Sequence, residues 1–269
     1  MRRSPAGFLL IISGGLFALA IGCWWLQQVA FTPTPDTDDT AAIVGDEDIR
    51  SEIATVVASA DAPVLEQSPT QLKEFVEQIA ALDAGAALMT EFVADAHARL
   101  IGELDEPVRI TGPEQAQIVR DERVAVNPPI TLPVQQVSSL EVVDTLLGWT
   151  ALVALAAGFV ALVAGFVFRP ERGEGTFAVS AFFLMIAVML VVFGYLVPLA
   201  VLPALSDDTW MGVFPSLANE KRAITFGAAI AFAAAGGAIY YLTSSRRQRR
   251  QSSTPLSMGR YREQHRWSR

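Results

Sequence analysis

Residues 147–168 read LGWTALVALAAGFVALVAGFVF, a continuous run without a charged side chain. A helix of about 20 apolar residues crosses the roughly 30 Å of bilayer hydrocarbon. Three further runs also lack Asp, Glu, Lys, Arg and His: Gly7–Val29, Phe177–Leu205 and Ala223–Leu242. Buried helices of a soluble core are the alternative, but the length of the runs and their lack of charge favour membrane spans. The sequence therefore predicts an all-α protein with four transmembrane helices and a small helical domain between the first and second.

Acidic and basic residues are unequally distributed between the segments on the two sides of the predicted spans. The 269 residues are 52% hydrophobic with a net charge of −8. The N-terminus, the turn after the second span and the tail after Leu242 hold 12 basic and 3 acidic side chains, a net charge of +9. The segments on the other side hold 8 basic and 25 acidic side chains, a net charge of −17. Because short cytoplasmic segments are rich in Lys and Arg, we expect a plasma-membrane protein with both termini cytoplasmic and residues 32–146 extracytoplasmic.

Four parts of the chain follow from this topology. They are the N-terminus with the first span (residues 1–31), an acidic extracytoplasmic helical domain with Pro-rich linkers (32–138), the other three spans (139–242) and an Arg-rich cytoplasmic tail (243–269).

The first span predicts a retained anchor, with lipidation as the alternative. A signal peptide has only 7–15 apolar residues, whereas this run continues beyond Trp24 and Trp25. Residues 20–23 (AIGC) nevertheless resemble a bacterial lipobox in which Cys23 would carry the lipid. Cys23 is the only cysteine of the chain, so the helical domain has no internal disulfide.

Helical periodicity organises the domain. Residues 32–40, rich in Pro and Asp, predict an extended, solvated linker. Apolar stripes at helical spacing predict four helices, which begin near Asp46, at Ser68-Pro69, near Ala86 and after Gly112-Pro113. Three prolines make residues 127–134 an extended strap, and Ser138 or Ser139 should cap the helix that enters the second span. Residues 206–222 are interpreted as a short acidic loop.

Motifs for catalysis, nucleotide binding or metal binding are absent from the sequence, which predicts no enzymatic activity, no cofactor and no metal site. His97 is offset from the apolar stripe of its helix and is expected at the surface or half-buried. The spans carry no ionisable residue, which argues against a pump or transporter. Small residues at four-residue intervals predict close helix packing in the second and fourth spans (Ala157, Ala161, Gly165; Ala229, Ala233, Gly237).

The tail after the fourth span carries a basic cluster, Arg246, Arg247, Arg249 and Arg250. The cluster serves as a stop-transfer signal, and it also suits contact with anionic lipid head groups or with a partner protein. Binding of nucleic acid is not expected.

The acidic start of one helix (residues 45–50, GDEDIR) and the Ala96-His97 pair of another are similar to features of a family of actinobacterial multi-pass membrane proteins. The similarity covers roughly residues 43–168. Most members have no assigned activity, so the resemblance implies a host group and no mechanism. It also fits the accessory subunits of respiratory supercomplexes.

Two functions remain open. The first is a non-enzymatic accessory or scaffold subunit of a cell-envelope or respiratory membrane complex, which contacts its partner through the extracytoplasmic domain. The second is an envelope component that transports or senses a lipid or small ligand. A flat acidic face with exposed Trp or Phe would favour the first, and an apolar cavity open to the bilayer would favour the second.

Overall fold

The computed structural model describes residues 5–168 and 173–252, with side chains described as far as Ser244. Four helices in these residues are long and apolar enough to cross a membrane: Pro5–Ala30, Ser138–Val167, Glu174–Leu205 and Arg222–Ser244. The prediction of a helical chain with four helices of membrane-spanning length is therefore confirmed, and the architecture fits a multi-pass membrane protein.

The four long helices form an open row. α1 (Pro5–Ala30) packs along α7 (Ser138–Val167) on one side and α8 (Glu174–Val191) on the other, and α10 (Arg222–Ser252) packs mainly on α8. The order across the row is thus α7, α1, α8, α10. Beyond α8 the chain continues as a π-helix (Val192–Val201) that contains Pro198, followed by a 3-10 turn (Pro203–Leu205).

Glycines set the close contacts of the row, although not at the positions that the sequence indicated. A Cβ atom on Gly158 would lie 3.2 Å from Phe17, and one on Gly236 would lie 2.9 Å from the carbonyl oxygen of Ser180. Of the predicted small residues, Gly165 and Ala229 are buried, whereas Ala157 and Gly237 are exposed. The spacing of small residues correctly predicted close helix packing, but two of the contacts are made by Gly158 and Gly236, each one residue from the predicted position.

The helical domain consists of five helices and a short ladder. The helices are α2 (Thr37–Gly45), α3 (Glu47–Leu65), α4 (Pro69–Ala80), α5 (Asp83–Ile101) and α6 (Gly112–Val119). A 3-10 helix (Glu122–Val126) follows, and β1 (Arg109–Ile110) pairs antiparallel with β2 (Ile130–Thr131). The predicted starts of α3 to α6 are confirmed within a few residues.

Two local predictions are wrong, and a third is confirmed. Residues 37–40 form the first turn of α2 rather than a linker, and Asp39 in that turn is buried. The proline-containing strap is extended, as predicted, and it includes β2; Leu132 N donates to Val108 O and continues the ladder. α7 begins at Ser138 without a side-chain cap, so neither serine caps it.

The segment between the third and fourth spans is the largest departure from the sequence interpretation. It is not a loop but a 3-10 helix (Thr209–Gly212) followed by α9 (Val213–Glu220). Its large apolar side chains are buried in the core of the helical domain: Trp210, Met211, Val213, Phe214 and Leu217. The domain core therefore combines residues 31–140 with residues 210–217, and it is attached to the spans through α1, α7, α10 and the π-helix that follows α8.

Candidate functional site

The domain carries an acidic groove beside the ends of the spans. The groove has a volume of about 750 Å³ and lies between the first turns of α3 and residues 203–212. Five carboxylates line it: Asp46, Asp48, Glu52, Asp207 and Asp208. None of the five forms a salt bridge within the described part of the chain.

Local backbone structure holds two of these carboxylates in place. Asp46 caps α3, accepting hydrogen bonds from Asp48 N at 3.0 Å and Ile49 N at 3.2 Å. Asp208 accepts from Trp210 N at 2.8 Å. A Cβ atom on Gly212 would lie 2.9 Å from Asp46 Oδ2. Glycine at this position therefore allows the segment 203–212 to approach the start of α3 closely. The N-terminus of α3 offsets part of the negative charge, but the other three carboxylates remain free to attract cations.

The spacing of these carboxylates suits a basic surface better than a metal ion. In the described residues no three His, Cys, Asp or Glu side chains converge as metal ligands. A row of separated negative charges in an open groove attracts Lys and Arg side chains of a partner over a distance of several ångströms.

A second cluster joins the helical domain to the spans. His97 on α5 is buried, and its Nε2 lies 2.9 Å from the carbonyl oxygen of Ala30 at the end of α1. Because a carbonyl only accepts, Nε2 carries the hydrogen. The ring also packs edge-on against Phe214 of α9, with ring centroids 6.1 Å apart. The expectation of a surface or half-buried histidine is wrong, because α1 and α9 cover the side of α5 that its own sequence pattern leaves polar.

Burial sets the protonation of this histidine. Desolvation lowers the pKa of His97 from 6.5 to about 4, against the smaller raising effects of the bond to Ala30 and the charge of Asp39. His97 is therefore neutral at pH 7, and Asp39 forms its ion pair with Lys221, at the junction of α9 and α10. This ion pair ties α2 to the start of the fourth span.

A buried carboxylate also lies on α3. Asp61 is fully buried, and its Oδ1 accepts from Asn127 Nδ2 at 3.0 Å. Oδ2 has no hydrogen-bond partner in the described part of the chain. Burial raises the pKa of Asp61, and the bond from Asn127 opposes this effect. The contact fastens the 3-10 segment to α3, so we interpret it as structural.

The residues that the sequence singled out belong to the long helices α1 and α10. Cys23 is buried within α1, which continues as a helix to Ala30. Lipidation of Cys23 remains untested. Arg246, Arg247, Arg249 and Arg250 belong to the last turns of α10, but their side chains lie outside the described residues.

Sequence reasoning missed the groove and the junction, since both combine segments distant in the chain. The helical spacing of Trp210, Phe214 and Leu217 was the one available signal for α9.

No family model matches the chain, and no curated protein or solved structure shows significant similarity to it.

Proposed function

We propose that the chain is a non-enzymatic accessory or scaffold subunit of a cell-envelope or respiratory membrane complex. The helical domain lies outside the cytoplasm and contacts the partner through the acidic groove. The observation that carries this proposal is the set of five groove carboxylates without a basic counterpart in the described chain.

The charge of the whole domain supports the same function. Residues 32–146 carry 22 acidic and 6 basic side chains, a net charge of −16. Copies of such a domain repel one another, whereas a basic surface on another protein is attracted and oriented. The four apolar runs of the spans lack Asp, Glu, Lys, Arg and His, so their sequence supplies no charged path for an ion or a proton.

The position of the groove suits a partner that is itself in the membrane. Pro203, at the end of the third span, and Ser206, directly after it, line the groove. A basic segment bound there would therefore lie close to the bilayer surface. The Arg cluster of the tail provides a separate contact with anionic lipid or with the same complex on the cytoplasmic side.

The test is purification from native membranes with matched charge variants. The groove variant is Asp48→Asn/Glu52→Gln/Asp207→Asn, which spares the capping residues Asp46 and Asp208. The control variant Glu74→Gln/Glu91→Gln/Asp95→Asn removes the same charge from exposed positions elsewhere on the domain.

We expect the groove variant to release its partner at a lower salt concentration than either the control or the wild type. Equal salt dependence of the two variants would exclude the groove as the contact. The alternative function, transport or sensing of a lipid or small ligand, is less favoured because the large groove is open and acidic rather than apolar.

A further inference from the structure

The domain-side end of α7 carries an exposed apolar face above the expected bilayer boundary. α7 has 30 residues and is thus about 45 Å long, whereas about 20 residues cross the hydrocarbon. Counting about 20 residues back from Phe168, where the apolar run ends, leads to Trp149, which is 64% exposed and suits the interface. The first turns of α7 therefore rise beyond the hydrocarbon, in agreement with the charges of Glu141 and Asp144.

Two aliphatic side chains continue the face of Trp149 into this region. Val142 and Leu146 are 57% and 58% exposed. Leu146 comes four residues after Val142 and Trp149 three residues after Leu146, so all three side chains lie on the same face of the helix. Val142 lies about 10 Å further along the helix axis than Trp149. Lipid tails cover apolar side chains below Trp149, but above it only head groups and water are available. The opposite side of α7 packs on α1 and α5.

On α7, Glu141 borders this face and is exposed. Gly102 at the end of α5 lies against the side chain of Glu141, and the residue after it, Glu103, is exposed as well. Asp144 lies on the side of α7 that faces α1, where it accepts from Gln27 Nε2 at 2.9 Å. Burial, and then the charge of Asp144, raises the pKa of Glu103. None of the three carboxylates forms a salt bridge in the described part of the chain.

We propose that Val142, Leu146 and Trp149 form a docking face for a transmembrane helix of a different protein, one with a Lys or Arg just beyond the bilayer on the domain side. Its apolar side chains cover the exposed stripe, and its basic side chain neutralises the flanking carboxylates. A second copy of this chain fits poorly, since a symmetric contact would place Glu141 near its own copy.

This inference depends on the proposed function, because it requires a membrane partner, but it assigns a contact separate from the groove. The groove lies beside the end of the third span, whereas α7 is the helix at the opposite edge of the row from α10. Each contact can therefore fail independently of the other.

The test is photo-crosslinking in native membranes with a benzophenone amino acid at position 146. The matched control places the same group at Ile230, which is 68% exposed on the lipid-facing side of α10. We expect position 146 to give a protein adduct that position 230 does not give. The crosslinked peptide should be a transmembrane helix with Lys or Arg at its domain-side end. The background Glu103→Gln/Glu141→Gln should lower the yield several-fold.

Adducts to lipid alone, to a second copy of the chain or to no protein would overturn the docking face. If such results accompany co-purification of a partner complex, only this inference fails and the proposed function stands. If no partner co-purifies from native membranes, the proposed function itself fails.

Discussion

Replacing Phe214 by alanine tests whether the segment between the third and fourth spans belongs to the domain core. Phe214 is fully buried on α9, and its ring centroid lies 6.1 Å from those of Phe31 and His97. A buried Phe→Ala change costs about 3–5 kcal/mol through lost transfer energy and the remaining cavity. Because the ring joins the end of α1 to α5, we expect this loss in the helices around it.

Hydrogen exchange of the detergent-solubilised protein measures the effect locally. Amides of α2 and α5, which pack near α9, should open with a free energy lower by about 3 kcal/mol or more in Phe214→Ala. The matched control is Phe75→Ala on α4, where the side chain is 36% exposed. The control should cost about 1–2 kcal/mol and should leave α2 nearly unchanged. Unchanged exchange in Phe214→Ala would show that α9 is a peripheral loop, as the sequence interpretation had it.

Three further predictions concern buried charge. The pKa of His97 is about 4 in the folded domain and near 6.5 in the unfolded chain. Between pH 4 and pH 6.5 the unfolded chain therefore binds more protons at this residue than the folded protein does. The unfolding free energy should therefore fall by about 3 kcal/mol from pH 6.5 to pH 4, and chemical denaturation of His97→Gln should lack this part of the slope. Lys221→Gln leaves the carboxylate of Asp39 unpaired and should cost about 2–3 kcal/mol, whereas Arg222→Gln at the exposed neighbouring position should cost little in the same denaturation experiment. Asp61→Asn keeps an acceptor for Asn127 and removes a charge whose burial raises its pKa, so the melting temperature at pH 7 should rise; a clear fall would contradict this.

The spans and most domain helices were predictable because their signals are local. An uncharged run such as Leu147–Phe168 fixes a span by length alone. The stripe Ile49, Ile53 and Val57 marks the buried face of α3, and all three side chains are fully buried. Asp46 was placed correctly at the start of α3 because capping depends on residues only two or three positions away.

The junction and the groove were not predictable because they depend on partners distant in the chain. His97 is surrounded in sequence by acidic side chains, and only the end of α1 and Phe214 bury it. In the sequence Asp39 belongs to an acidic run that is expected to be exposed to solvent. The folded structure brings Lys221 beside it. The groove likewise combines Asp46 with Asp207, about 160 residues apart. Periodicity describes which face of one helix is apolar, not which distant segment covers it.

The most direct test of the proposed function is the native mass of the particle at two salt concentrations. The tagged chain, 29.0 kDa alone, is released from the membranes of its host in mild detergent, and the mass and composition of the particle are measured. At low salt we predict a larger complex that contains a different membrane protein in a fixed ratio. Raised salt should dissociate it, because the Debye length falls from roughly 10 Å at 0.1 M to about 3 Å at 1 M. A monomer, or homo-oligomers alone, at low salt would contradict the account.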